Sequence, residues 1–177
     1  MKKIHGEQRR QLLLEKLKSA SAPVTGAELA ADAGVSRQVI VGDMTLLKAK
    51  GETIIATSQG YLYLNQHVSD AITRRIACKH EARDTEQELK LLVAAGVTVV
   101  DVSVEHPVYG ELTAGIHVSN EQEVEAFMKR VRDTGASYLL ELTDGTHLHT
   151  ISAQNVAMLE QAIESMRENG FLLEEVE

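Results

Sequence analysis

The sequence predicts an α+β fold in two parts, and three observations support this prediction. Between Thr25 and Gly51 the chain has the capping residues and apolar spacing of two short helices, with β-prone runs directly after them. Farther along, helical periodicity and strand alternation follow each other, which is typical of a sheet covered by helices. Residues 1–65 hold nine Lys or Arg and six Asp or Glu, a net charge of +3, whereas residues 66–177 hold nine and 20, a net charge of −11. We therefore expect two domains, 1–65 and 66–177.

The first domain is expected to begin with a helix over Glu7–Ser19, because Pro23 shortly afterwards cannot continue one. Leu12, Leu13 and Leu17 are expected to face the core of the domain. The basic side chains of this helix are expected to be exposed: Arg9, Arg10, Lys16 and Lys18.

Two further helices are predicted from their ends. Thr25 is the expected N-cap of the second helix, Gly34 its end, and Ser36 the N-cap of the third. Apolar residues at i, i+4 and i+7 from Ile40 form the buried side of the third helix. The residues that face outward are Arg37, Gln38, Val41, Gly42, Thr45 and Lys48. This face has few acids, so the pair is predicted to be a helix-turn-helix that reads DNA; a plain helical hairpin is the alternative.

A β-hairpin is predicted after the third helix. The β-prone runs Thr53–Thr57 and Tyr61–Leu64 flank Ser58–Gly60, whose glycine can take a positive φ. Three helices followed by a hairpin form a winged helix, in which the third helix enters the major groove and the wing lies over phosphates. The residues expected to contact double-stranded operator DNA are Thr25, Ser36, Arg37, Gln38, Val41, Gly42, Thr45, Lys48, Thr57 and Gln59.

The second domain is expected to alternate helices and strands. The predicted elements are a helix over Thr85–Ala95, strands over Val97–Glu105 and Glu111–Val118, a helix capped by Ser119 and ending at Thr134, strands over Ser137–Leu142 and Thr146–Ile151, and a helix over Ala153–Asn169. Asp144-Gly145 is a hairpin signal between the last two strands. This order of repeated α-β-β units predicts an α/β sandwich with a mostly antiparallel sheet and helices on one face. Asn65–Ala77 is compatible with a short strand or with a linker.

Composition narrows the class of protein. The only cysteine, Cys78, cannot form an internal disulfide, which favours a reducing cytoplasm. No apolar run has the length of a signal peptide or a membrane span, so no membrane partner is expected. The chain has no Trp and 3% aromatic residues, which argues against a single-strand binder that stacks bases.

Metal-ligating residues concentrate in the second domain. His147 and His149 are two apart in a predicted strand, so both side chains point to one face and could hold one cation. A solvated hairpin face that holds two polar rings is the alternative. Further ligands could come from His80, His106, His117 and Glu88. Glu88 also fits the N3 position of a capping box that Thr85 begins.

Four segments of the chain resemble the niacin-responsive transcriptional repressors. They are GAELAADAGVSRQVIVGDMTLLKAKG, AITRRIACKHEARDTEQEL, VVDVSVEHPVYGEL and TDGTHLHTI. The resemblance implies a winged helix followed by a three-histidine domain. It further implies a repressor of genes for the uptake or salvage of NAD precursors, with nicotinic acid as co-repressor. One divalent transition metal per chain would be held by His80, Glu88, His147 and His149.

Three histidines and a carboxylate suit zinc, nickel or iron(II), so the ligands do not identify the ion. Nicotinic acid or nicotinamide could fill an open position on the ion, and His106 and Tyr109 are expected to line the effector pocket. Two half-sites multiply specificity, so a homodimer on a palindromic operator is expected. No residue has the spacing of a general base, so an enzyme is not expected; the alternative is a metal-dependent hydrolase with an appended DNA-binding domain.

Overall fold

The computed structural model describes residues 6–64 and 71–173. The chain separates into two compact units, Met1–Val68 and Ser69–Glu177. The predicted boundary between residues 65 and 66 lies outside the described residues. Within the described ranges, no helix combines the length and apolar character that crossing a membrane requires.

In residues 6–64, the first unit contains three helices and a two-stranded hairpin. The elements are α1 (Gly6–Ser19), α2 (Gly26–Ala33), α3 (Arg37–Ala49), β1 (Ile54–Thr57) and β2 (Gly60–Tyr63). The hydroxyl of Thr25 accepts a hydrogen bond from the Glu28 backbone N–H, and that of Ser36 accepts one from the Val39 N–H. Gly34 ends α2 in the left-handed conformation, at φ 62°. The capped helix pair and the hairpin predicted from the sequence are thereby confirmed.

Helix α1 packs differently from the prediction. Its buried residues are Leu13, Leu14 and Leu17, whereas Leu12 is 49% exposed, because an i, i+1, i+4 stripe leaves Leu12 to one side. Arg9 is not exposed either: its guanidinium donates to the carboxylate of Asp43 on α3 at 2.6 and 3.1 Å. Arg10 donates to the same carboxylate at 3.3 Å. A buried carboxylate needs such partners, so the two arginines tie α1 to α3.

Within residues 71–173, the second unit contains three helices, four strands and two 3₁₀ turns. The elements are β3 (Ile72–Lys79), a 3₁₀ turn (Ala82–Asp84), α4 (Thr85–Ala94), β4 (Thr98–His106), β5 (Gly110–Val118), α5 (Glu121–Thr134), a 3₁₀ turn (Leu139–Thr143), β6 (Thr146–Ala153) and α6 (Val156–Glu168). The strand order is β3-β6-β4-β5, and every neighbouring pair is antiparallel. The predicted α+β class with an antiparallel sheet is confirmed, and the segment that joins the predicted domains contributes strand β3.

Alternate residues of β6 face the core that the sheet shares with the helices. Ile151 and Ala153 belong to this core, together with residues of α4, α5 and α6 such as Leu89 and Leu159. Residues at positions 147 and 149 have the same parity as Ile151 and are likewise buried. The His-x-His pair therefore lies on the covered face of the sheet, and the solvated alternative is wrong.

Two local predictions in this unit are wrong. Ser137–Leu142 is not a strand: the Glu141 carboxylate accepts from the Tyr138 N–H at 2.7 Å, and the Gly145 N–H donates to the Leu140 carbonyl at 2.9 Å. These local bonds close a 3₁₀ turn, so no hairpin forms around Asp144-Gly145 and the repeat of α-β-β units is incomplete. In addition, α5 is capped by Asn120, one residue after the predicted Ser119.

Candidate functional site

The residues predicted to contact DNA fall mainly on one exposed face of α3. Those exposed on this helix are Arg37, Gln38, Val41, Gly42, Thr45 and Lys48. Thr25 and Ser36 are exposed at the N-termini of α2 and α3, where their oxygens cap the helices. A hydroxyl that accepts from the backbone retains its own hydrogen for a phosphate oxygen.

The two wing residues are half-buried. The hydroxyl of Thr57 donates to the Gly60 carbonyl at 2.9 Å and accepts from the Gln59 N–H at 3.1 Å. Thr57 therefore shapes the turn of the hairpin, and its side chain is committed to that turn. Contact of Thr57 and Gln59 with phosphate stays a prediction.

The four residues predicted to hold a metal come together in the second unit. Glu88 lies in the first turn of α4, and its carboxylate oxygens are 2.8 Å from His80 Nε2, 3.1 Å from His147 Nε2 and 3.3 Å from His149 Nε2. Each of these side chains is at most 3% exposed. The ring centroids of His80 and His147 are 4.8 Å apart, and those of His147 and His149 are 4.9 Å apart. We refer to these four side chains as the three-histidine cluster.

Backbone carbonyls orient all three imidazoles. The Nδ1 atom of His80 is 2.8 Å from the Glu81 carbonyl, that of His147 is 2.9 Å from the Gly145 carbonyl, and that of His149 is 2.7 Å from the Asp101 carbonyl. A carbonyl only accepts, so each Nδ1 carries the proton and donates. In the neutral ring, Nε2 then presents a lone pair toward Glu88, which is how metal-binding histidines are commonly held.

Three lone pairs and a carboxylate facing one another repel unless a proton or a cation lies between them. His80 Nε2 is buried, and in the described part of the chain no group forms a hydrogen bond with it, although the Glu88 oxygen is 2.8 Å away. An orphaned nitrogen of this kind in a donor set of three imidazoles and one carboxylate fits a divalent transition metal. The residues present thus suit the divalent cation that the resemblance implies.

The electrostatics of the cluster point the same way. Burial opposes the charged form of Glu88, yet the three histidines together hold the pKa of its carboxyl well below the usual value. Burial also lowers the pKa of His80 and His149, but the Glu88 carboxylate outweighs it and raises both above the ordinary histidine value. A deeply buried carboxylate that stays ionised attracts cations, whether protons or a metal.

The interpretation of Glu88 as part of a capping box is wrong. Helix α4 begins at Thr85 itself, and the preceding residue, Asp84, makes no side-chain cap. The Glu88 carboxylate is directed to the histidines instead. The Thr85 hydroxyl is buried and has no hydrogen-bond partner among residues 6–64 and 71–173.

A small cavity of about 210 Å³ borders the three-histidine cluster. Thr85, Glu88, His147 and His149 form its polar wall. The apolar walls include Leu89, Val102, Ala114, Ile116, Phe127, Val131, Leu139 and Leu140. This shape, apolar with a few convergent polar groups, is typical of a site for a small molecule.

His106 and Tyr109, which were expected to line the effector pocket, do not border this cavity. They lie at the tip of the β4–β5 hairpin, where Tyr109 is 73% exposed. His106 Nδ1 accepts from the backbone N–H groups of Val108 and Tyr109 at 3.2 and 3.3 Å, so its role is to close the turn. His117 is on β5 and does not join the cluster.

Four residues at the cluster were not predicted from the sequence. Glu81, Asp101 and Gly145 supply carbonyls that orient histidines, a role that the side chain does not signal. Cys78 is fully buried, and its sulfur, a Glu88 oxygen and a His147 nitrogen all lie within 4.8 Å of one another. Burial and the nearby Glu88 raise the pKa of the Cys78 thiol. The one available signal was that Cys78 has the same strand parity as His80 in IACKH.

Comparison with known proteins gives matches along most of the chain. Residues 73–175 match the model of a family described as the 3H domain, and residues 9–62 match that of an HTH domain. The chain is 50% identical over 177 residues to the transcription repressor NadR of Bacillus subtilis (strain 168), which covers 98% of this chain and 97% of that protein. It is 38% identical over 169 residues to the probable transcription repressor NiaR of Thermotoga maritima, covering 96% and 95%.

Proposed function

Since the chain belongs to the family of the NadR and NiaR transcription repressors, we propose that it represses genes for the uptake or salvage of NAD precursors, with nicotinic acid as co-repressor. Membership of this family makes it a DNA-binding regulator and not an enzyme, so the hydrolase alternative is wrong. One observation carries the effector part of the proposal: three histidine nitrogens converge on the buried Glu88 carboxylate, and Glu88, His147 and His149 also line a small apolar cavity.

The three-histidine cluster would hold the metal through the Nε2 atoms of His80, His147 and His149 and the carboxylate of Glu88. Zinc, nickel and iron(II) all accept such donors. When bound, the ion supplies a Lewis-acid position for an oxygen or nitrogen of the effector. The backbone carbonyls hold the imidazoles in place before the ion arrives, which lowers the cost of binding it.

The cavity suits a single flat ring with one polar substituent. Its volume is below the usual range for sites of drug-sized ligands, and its walls opposite the cluster are apolar. The carboxylate of nicotinate can bind an open coordination position on the ion, whereas nicotinamide has no such anionic group. The unsatisfied Thr85 hydroxyl borders the cavity and can donate to the nicotinate carboxylate.

The exposed face of α3 would bind in the major groove of the operator. The basic residues of the first unit would neutralise DNA phosphates. Both contacts would be made in the cytoplasm, where the operator is. One winged helix covers a small DNA surface. A homodimer on a palindromic operator would multiply specificity. Nicotinic acid would act by favouring the spacing of α3 helices that matches the operator, a coupling of about 1–3 kcal/mol.

The test is fluorescence anisotropy of DNA from upstream of the chain's own gene and of neighbouring transport genes. The labelled DNA is titrated with metal-loaded protein in the presence of nicotinic acid, in the presence of nicotinamide, or without either ligand. The metal-free protein is the control. We expect nicotinic acid to tighten operator binding about 5- to 150-fold in the metal-loaded protein only. Tight operator binding whose affinity does not change with nicotinic acid would refute nicotinic acid as the effector. Loss of the helical circular dichroism signal on metal removal would show that the ion has a structural role instead.

A further inference from the structure

We propose that the sulfur of Cys78 is a further donor to the ion at the three-histidine cluster, which makes the set three imidazoles, one carboxylate and one thiolate. This inference rests on the proposed metal centre and adds a residue to it. It would bias the site toward ions that accept sulfur, such as zinc, nickel, cobalt and iron(II), and away from magnesium and manganese.

The strand register places Cys78 at the cluster. In the β3–β6 pair Cys78 lies directly opposite His147, so both side chains are on the face covered by α4. Glu88 approaches from α4, and the sulfur, a Glu88 oxygen and a His147 nitrogen lie within 4.8 Å of one another. Adjacent donor atoms of a five-coordinate ion with bonds of about 2.0–2.3 Å lie roughly 2.8–4.0 Å apart, so small side-chain rotations bring the sulfur into the ion's reach.

A buried cysteine is more often an ordinary small apolar residue, and Cys78 does belong to the core of the second unit. Unlike an ordinary apolar core residue, Cys78 has polar groups next to its sulfur. The neighbouring residue on the same face, Ile76, lies opposite His149 and carries no polar atom, whereas Cys78 directs a donor atom at a carboxylate and an imidazole. A thiol with those two neighbours is in the position of a ligand.

Binding needs no redox step. The Cys78 thiol releases its proton to solvent as a sulfur lone pair forms the bond to the ion, and neither sulfur nor metal changes oxidation state. Because the chain has a single cysteine, a metal–thiolate signal from the protein can have no other source. This property gives the inference a direct spectroscopic test.

The experiment is cobalt(II) titration of the full-length, metal-free protein, followed by absorption in the near ultraviolet and the visible. We expect one cobalt per chain and a sulfur-to-cobalt charge-transfer band in the wild type. In Cys78→Ser that band should be lost while the weaker visible bands of cobalt held by the histidines remain. Cys78→Ala is a second variant, and circular dichroism checks the fold of both.

The wild-type spectrum decides the matter even if both variants fail to fold. One bound cobalt without a charge-transfer band would overturn the role of Cys78 and leave the three-histidine centre intact. If the wild type binds no cobalt, or binds only cobalt that zinc does not displace, the proposed metal centre is refuted. The role of Cys78 is then refuted with it.

Discussion

Replacement of Gly145 by alanine should weaken metal binding and also destabilise the fold. Gly145 has φ 86°, and a Cβ atom there would collide with the backbone carbonyl of His80. The Gly145 carbonyl accepts from His147 Nδ1 at 2.9 Å and from the His80 backbone N–H at 3.3 Å. Relief of the collision therefore moves the supports of two of the three histidines at once.

The magnitude follows from two separate effects. A non-glycine residue in the left-handed region costs about 1 kcal/mol of folding stability, and at Gly145 the collision with the His80 backbone adds to that cost. Loss of a group that orients a metal ligand typically costs about 10- to 100-fold in metal affinity, which is about 1.4–2.8 kcal/mol. We expect the second effect because the collision displaces backbone, which cannot rotate away as a flexible side chain can.

Gly135→Ala is the matched control. Gly135 has φ 63° at the end of α5, and no described heavy atom lies within 4 Å of the place its Cβ would take. Both variants thus carry the backbone cost, and only Gly145→Ala disturbs the cluster. Zinc affinity is measured by competition with a chromophoric chelator, and stability by urea unfolding. Equal zinc affinity in the two variants would refute the argument that Gly145 positions the histidines.

Three other predictions test an ion pair and the DNA-binding face of the first unit, and the effector cavity of the second unit. Asp43→Asn should lower the free energy of unfolding by about 2 kcal/mol, because the paired Arg9 guanidinium loses a charged acceptor; a urea midpoint equal to that of the wild type would contradict this. Gly42→Ala should keep or raise stability by up to about 1 kcal/mol, yet weaken operator binding in anisotropy, because glycine permits close approach to the DNA backbone; unchanged affinity removes that role. Thr85→Val, similar in volume, should weaken nicotinic acid binding about 5- to 10-fold in calorimetry with zinc affinity unchanged, since one hydrogen bond is worth about 1 kcal/mol; equal affinities would exclude Thr85 from the effector site.

Local signals in the sequence were sufficient for much of the fold. Thr25 and Ser36 cap helices because their oxygens bond to N–H groups three residues away, and such short-range chemistry is visible in the sequence. The period of two along β6 likewise determines that His147 and His149 share a face. Glu88 was one of several candidate ligands in the sequence, but its local spacing favoured a cap, and only the resemblance selected it as a ligand.

Local signals failed where two structures of similar local propensity compete. Ser137–Leu142 has the apolar character of a strand, but Glu141 bonds back to the Tyr138 N–H, and the resulting 3₁₀ turn satisfies the segment without a partner strand. Arg9 looked like a solvated basic residue until α3 brought the buried Asp43 against it. In both cases one side-chain hydrogen bond decides the local structure. The spacing of apolar residues in the sequence does not reveal that bond.

The sequence by itself determined the class of the fold, the helix-turn-helix and the pair of histidines on one strand face. Only the tertiary structure decided which donors meet. Cys78 lies opposite His147 because β6 is inserted between β3 and β4, and Glu88 reaches the same point because α4 packs over that face. Strand order and helix packing are set by the summed burial of apolar side chains far apart in the chain, so no short stretch of sequence contains them.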